Sequence, residues 1–129
     1  NIKKLLSNKK LPVIVPMGYC DDNKIYNINA DTAAGSIAKS LSSRRLLLMT
    51  DVEGVLDNNK KLIPQLNSNF AKKMIDEGII QGGMIPKINT CLDSLNNGVT
   101  GVAIVDGRKS HSILFELFSD KGAGTLIRK

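Results

Sequence analysis

The sequence predicts an α/β protein in which helices cover both faces of a parallel sheet. Apolar runs of strand length, Leu46 to Met49 and Val99 to Val105, alternate with stretches whose apolar residues recur at helical spacing. No internal repeat or low-complexity linker divides the 129 residues, a length that fits a single domain able to bury a core.

In chain order, an opening helical stretch precedes a strand expected at Leu11 to Val15. Polar residues from Asp21 to Lys24 then predict the turn of a hairpin that continues into Tyr26 to Ile28. Ala33, Ala34, Ile37, Ala38 and Leu41 lie on one helical face, with Asn29 or Asp31 available as the cap. The continuous apolar run Leu46 to Met49 reads as a strand buried on both faces. A loop from Thr50 to Leu62 follows, then a short helix marked by Phe70, Met74 and Ile75 that ends at Gly78. A helix over 86–97 carries Ile88, Cys91, Leu92 and Leu95 on its apolar face, with Pro86 in its first turn and Asn97-Gly98 as its stop. After Val99 to Val105 comes a last helix whose apolar face holds Ile113, Leu114, Leu117 and Phe118, and Leu126 and Ile127 close with a strand. In such sheets ligands sit beyond the carboxyl ends of the strands, here the loops that begin at Thr50 and Asp106.

Composition narrows the function classes. At 42% hydrophobic and 23% charged residues the chain is neither disordered nor membranous, and no apolar run approaches a spanning length. Cys20 and Cys91 have no CxxC spacing and only His111 as a companion, which supports neither a zinc site nor a disulfide framework and fits a reduced, cytosol-like compartment. The net charge of +6 is spread over separated basic pairs, among them Lys9-Lys10 and Arg44-Arg45, and aromatic residues make up only 4%. Stacking platforms for nucleic acid are therefore scarce, and an anionic small molecule suits the charge as well.

The stretch "GGMIPK", residues 82 to 87, has the parts of a phosphate cradle: a flexible loop, a helix amino end and Lys87. A cation is disfavoured at that end of a helix unless something negative joins it. The same residues also read as a surface lysine after an ordinary loop. Neither GxxxxGK[ST] nor GxGxxG occurs, so a nucleotide site would be built another way, and one histidine without GxSxG argues against a Ser-His-Asp hydrolase.

Four ordered motifs, "YNINAD" (26 to 31), "TDVEGVL" (50 to 56), "GGMIPK" (82 to 87) and "DGRKSHSILFELFSDKGAGT" (106 to 125), together resemble the acetylglutamate kinase branch of the amino acid kinase family, over about Leu11 to Ile127. The resemblance implies a three-layer α/β/α sandwich with a mostly parallel open sheet. It also implies ATP-dependent phosphorylation of the side-chain carboxylate of N-acetyl-L-glutamate, an early step of arginine synthesis. Lys87 is then similar to the family's carboxyl-lobe catalytic lysine, and Asp31 to the aspartate that organises the catalytic lysines. Asn27, with Asn29, matches the acetylglutamate contacts. Thr50, Asp51, Val52, Glu53, Gly54, Val55 and Leu56, with Ile79, Ile80, Gln81, Gly83 and Met84, correspond to the nucleotide-binding segments. Mg2+ is expected with the ATP phosphates. His111, Glu116, Gly122 and Gly124 resemble the signature of arginine-inhibited members, which implies L-arginine as an inhibitor and a homo-oligomer at full length. Neither nucleic acid nor membrane is an expected partner, and the expected location is the cytoplasm, or the plastid stroma for an organellar enzyme.

Each of these residues also has a local alternative. Asn29 and Asp31 read as helix caps, Asp51 as a turn-forming carboxylate, Met84 as a packing residue and Glu116 as a solvated side chain. Nothing in Asn1 to Lys10 resembles the family's acceptor-binding amino-terminal lobe with its second lysine. Residues 1–129 are accordingly expected to be the nucleotide-binding carboxyl-terminal lobe, inactive on its own. A non-catalytic nucleotide-binding or regulatory module, or an amino acid kinase for another acceptor, are the alternatives.

Overall fold

A computed structural model describes all residues from Asn1 to Lys129. Helix α1 (Ile2–Ser7) is followed by a hairpin of β1 (Met17–Tyr19) and β2 (Ile25–Asn27), then α2 (Ala30–Leu41), β3 (Arg45–Thr50), β4 (Gln65–Asn67), α3 (Ser68–Asp76), α4 (Met84–Asn96), β5 (Gly101–Asp106), α5 (Ser112–Phe118) and β6 (Gly124–Arg128). The hairpin stands as its own antiparallel pair, and the main sheet runs in the order β3-β5-β6-β4. Two of its junctions, β3 with β5 and β4 with β6, are parallel, and β5 with β6 is antiparallel.

Strand alternation sorts the two faces of this sheet. Leu46, Leu48, Val102, Ile104 and Ile127 join Ile88, Cys91, Leu92 and Leu95 of α4, Ala38 of α2 and Ala71 and Met74 of α3 in one buried cluster. The opposite face is small where α5 packs on it, because Gly101, Ala103 and Val105 of β5 alternate away from that cluster. Gly124 is required there: a Cβ would stand 2.0 Å from the Ile104 carbonyl oxygen, inside any contact a backbone allows. The fold is thus an α/β/α sandwich with a mostly parallel sheet.

The structure corrects several expectations. Leu11 to Val15 is not a strand: Leu11 and Val13 are about nine-tenths exposed, and Pro12 and Pro16 remove two of the donors that a ladder needs. The strand after them is three residues long, Met17–Tyr19. β3 is fully buried on one face only: Leu46 and Leu48 are buried, whereas on the other face, where α5 packs on β5, Leu47 is half-buried and Met49 is 45% exposed. The helix expected over 86–97 begins two residues earlier, at Met84, with Gly83 as its N-cap. β4, short and flanked by Pro64, had no periodic signal.

The largest reversal is α5. Ile113, Leu114, Leu117 and Phe118 are exposed, and the helix turns Ser112 and Glu116 inward. Glu116 is drawn in by partners that lie far away in sequence. Its Oε1 accepts from Arg45 Nη1 at 2.7 Å, and its Oε2 accepts from the Ala123 backbone N–H at 3.0 Å. The basic pair Arg44-Arg45 is therefore not wholly a solvated face.

Candidate functional site

Two helix amino ends meet beside the core. Asn29 caps α2, its side chain accepting from Thr32 N–H at 3.1 Å, which leaves Asp31 free in the first turn, where the helix dipole favours a carboxylate. Gly82 at φ +56 turns the chain into α4, and neither Gly82 nor Gly83 has an atom within 4 Å of a would-be Cβ. Pro86 fills the first turn of α4, and the next residue, Lys87, extends its Nζ to Asp31 Oδ2 at 2.5 Å. The Lys87 and Asp31 side chains are 14% and 25% exposed, so the pair is sheltered but reachable. The negative group that the helix-dipole consideration requires beside Lys87 is, in this chain, Asp31.

One turn above Lys87 on α4, Met84 borders an apolar slot of about 260 Å3, lined also by Val52, Gly54, Val55, Leu56, Ile79, Ile80 and Gln81. These residues come from two segments well apart in sequence, and all are in the nucleotide set named above. Gly54, at φ +146, packs where a Cβ would meet Thr125 Oγ1 at 2.6 Å, and Val55 N–H donates to that hydroxyl at 2.8 Å. Thr125 Oγ1 itself donates to the Ile63 carbonyl at 2.7 Å. Thr50, Asp51 and Glu53 are at the rim, not in the slot: Thr50 hydrogen-bonds Asp51, and Glu53 Oε1 accepts from Lys109 Nζ at 2.6 Å. Gly83 likewise lies beside the slot, as the N-cap of α4.

Cys91 follows Lys87 by one helical turn and is fully buried. Burial, with a smaller contribution from the Asp31 charge, pushes its thiol from 9.0 to about 12 although Lys87 pulls the other way. It is a packing residue and an inert thiol.

Asp106, at the carboxyl end of β5, is 2% exposed. Arg108 grips it with Nε and Nη2, each at 2.9 Å, and with its backbone N–H at 3.0 Å. These hydrogen bonds hold the Asp106 carboxyl at about 2, below its ordinary 3.8. A depressed carboxylate contributes stability that is complete above its unfolded value and is lost as the pH falls through the folded one. Asp106→Asn is expected to be less stable than wild type at neutral pH, with the gap closing between 3.8 and about 2. Acid titration followed by circular dichroism checks this, and parallel curves for the two proteins would exclude the role.

The sites expected for acetylglutamate and arginine are only partly assembled. Asn27 ends the exposed hairpin and Asn29 is occupied as a cap. Glu116, Gly122 and Gly124 line one polar cavity of about 430 Å3 together with Arg44, Arg45, Lys121 and Arg128. His111 is not among its lining residues. It sits at the start of α5 at φ +61 and borders an outer apolar groove with Leu114, Phe115 and Phe118. Arg45 was missed from sequence as a site residue, because nothing local links it to Glu116.

The four-stranded mostly parallel sheet between helix layers, with a lysine–aspartate pair at two helix amino ends, defines a protein of the amino acid kinase type. The amino acid kinase family model matches residues 1–106, and the chain belongs to that family. It is 59% identical over 128 residues to the acetylglutamate kinase of Pelagibacter ubique, covering 99% of this chain and 44% of that protein. It is 49% identical to the acetylglutamate kinase of Afipia carboxidovorans, covering 99% and 43%. The chain thus spans less than half the length of these curated relatives. Among solved structures it superposes on N-acetylglutamate synthase from Neisseria gonorrhoeae, complexed with coenzyme A and L-arginine, with a TM-score of 0.93 at 26% identity, over 99% of this chain and 30% of that one. Carbamate kinase from Giardia lamblia bound to AMP-PNP shares the fold, with a TM-score of 0.72 at 22% identity over 99% and 48%. No helix is long and apolar enough to cross a membrane.

Proposed function

We propose that this chain is the nucleotide-binding carboxyl-terminal lobe of an acetylglutamate kinase, which transfers the γ-phosphoryl group of ATP to the side-chain carboxylate of N-acetyl-L-glutamate. The observation that carries the reading is the Lys87–Asp31 pair one helical turn from an apolar slot lined by Val52, Leu56, Ile80 and Met84. The slot takes the adenine, which places the phosphates along the amino end of α4 toward Lys87. A carboxylate oxygen of the acceptor attacks the γ-phosphorus, the bond to the β-phosphate oxygen breaks, and the products are an acyl phosphate and ADP. Little covalent chemistry falls to the protein, which positions the groups and neutralises charge. Lys87 meets the charge that builds on the transferring oxygens, and Asp31 holds its ammonium in place. Mg2+ would accompany the nucleotide and would supply further neutralisation of the phosphate charge.

In this reading the acceptor pocket, including the face that Asn27 and Asn29 adjoin, is completed by an amino-terminal lobe. Support comes from the 59% identity to a kinase more than twice as long, and from the apolar strip exposed at Leu11, Val13, Val15, Tyr19 and Ile25. The 129-residue chain is expected to bind ADP or ATP weakly and to leave acetylglutamate unphosphorylated. Calorimetric titration and a coupled ADP-release assay measure both. Robust turnover would refute the division between lobes, and absence of any nucleotide binding would refute the slot.

L-Arginine is the second ligand of this reading, and inhibition in a homo-oligomeric full-length enzyme is its consequence. The cavity beside Glu116 is rimmed by Arg44, Arg45, Lys121 and Arg128, cations that suit the ligand's carboxylate, and Glu116 takes the ligand's guanidinium in this reading by exchanging its present partner, Arg45. The similarity to a synthase solved with L-arginine points the same way.

A further inference from the structure

The loop from Thr50 to Val55 forms one lip of the slot and is fixed at its two ends. At Thr50 the carbonyl accepts from Gly107 N–H at 2.8 Å, and at Val55 the N–H is bound by Thr125. Of the residues between, Asp51, Val52 and Glu53 are exposed and Gly54 is buried, and Val52 is the exposed one that lines the slot. Asp51 and Glu53 are both acidic, and the turn after β5 faces them with two cations. Arg108 is clamped by the buried Asp106 in a two-pronged pairing, which fixes the turn that carries Lys109. Lys109 reaches Glu53 directly at 2.6 Å.

We propose that Lys109 is a positioning residue for the nucleotide slot, a cation on the turn between β5 and α5 that holds the 51–53 lip through Glu53 and with it Val52. The inference rests on the nucleotide reading of the slot given above. Lys109 supplies the contact that sets how far the lip closes. Lys109 does not line the slot, so it acts through the loop.

The test is titration of the 129-residue protein with ADP, with thermal unfolding recorded for each variant. Lys109→Glu is expected to weaken ADP binding about fivefold, the scale of one exposed ion pair turned into a repulsion, with the unfolding midpoint unchanged. The exchanged pair Glu53→Lys with Lys109→Glu is expected to return to within about twofold of wild type, and Lys109→Arg to bind as wild type does. Undiminished binding by Lys109→Glu overturns the inference while leaving the nucleotide slot intact. Failure of the exchanged pair to recover also overturns it, since Lys109 would then act on the nucleotide and not through Glu53. No ADP binding by the wild-type protein removes the slot itself and the inference with it.

Discussion

Lys87→Ala in the full-length kinase is expected to lower kcat about a hundredfold, the loss of roughly 3 kcal/mol that follows removal of one donor from a developing charge. Nucleotide affinity is expected to stay within a few fold, because in the proposed reading the adenine is held by the slot and Lys87 is outside its lining. The fold is expected to survive: Asp31, relieved of its partner at 2.5 Å, remains in the first turn of α2, where unpaired backbone N–H groups and water receive it. An interaction made chiefly in the transition state lowers kcat and kcat/KM together, whereas a ground-state contact raises KM alone. Steady-state kinetics over a range of ATP and acetylglutamate concentrations separates the two. A kcat within about twofold of wild type would remove Lys87 from phosphoryl transfer.

Glu116→Ala is expected to damage stability and regulation at once. The Glu116 side chain is 3% exposed and its partner Arg45 25%, so truncation strands a half-sheltered guanidinium and an unpaired Ala123 N–H. Breaking a fully buried pair costs several kcal/mol. Arg45 can turn partly to solvent, which brings the expected loss to about 2 kcal/mol. Glu116→Gln keeps an acceptor for Ala123 and is expected to lose less. Both are expected to abolish or weaken inhibition of the full-length enzyme by L-arginine while uninhibited kcat is nearly retained, since Glu116 lies on α5, remote in sequence from the Lys87–Asp31 pair. By linkage, substrates that favour the uninhibited state should weaken arginine binding by the same factor. Denaturant unfolding measures the first effect, and inhibition curves at several acetylglutamate concentrations the second. Insensitivity of the wild-type enzyme to millimolar arginine would end the regulatory reading and leave only the structural one.

Local signals in the sequence were read correctly wherever the deciding contacts are local. A cap at Asn29 or Asp31, which the structure assigns to Asn29, the polar turn between β1 and β2, Gly78 after α3 and the apolar stripe of α4 all depend on residues within about one helical turn of one another. The nucleotide segments came from family motifs, and their convergence on one slot could not be read from spacing, because 52–56 and 79–84 approach only through the sheet. The strand expected at Leu11 to Val15 failed because apolar β-branched composition does not supply a neighbouring strand, and two prolines there withhold donors.

The sequence by itself determined the helices, the strands β2, β3, β5 and β6, a helix amino end close to Lys87 and the family to which these point, but neither β4 nor the strand at Met17–Tyr19. Tertiary structure set Asp31, 56 residues away, at 2.5 Å from Lys87, a partnership that only the family resemblance had implied, and it alone decided that α5 faces inward with Ser112 and Glu116 while its apolar residues face out. The physical reason is the same in both cases. A charge is placed by the partner that compensates its desolvation, and that partner, Asp31 for one and Arg45 for the other, is brought near only when the chain has folded.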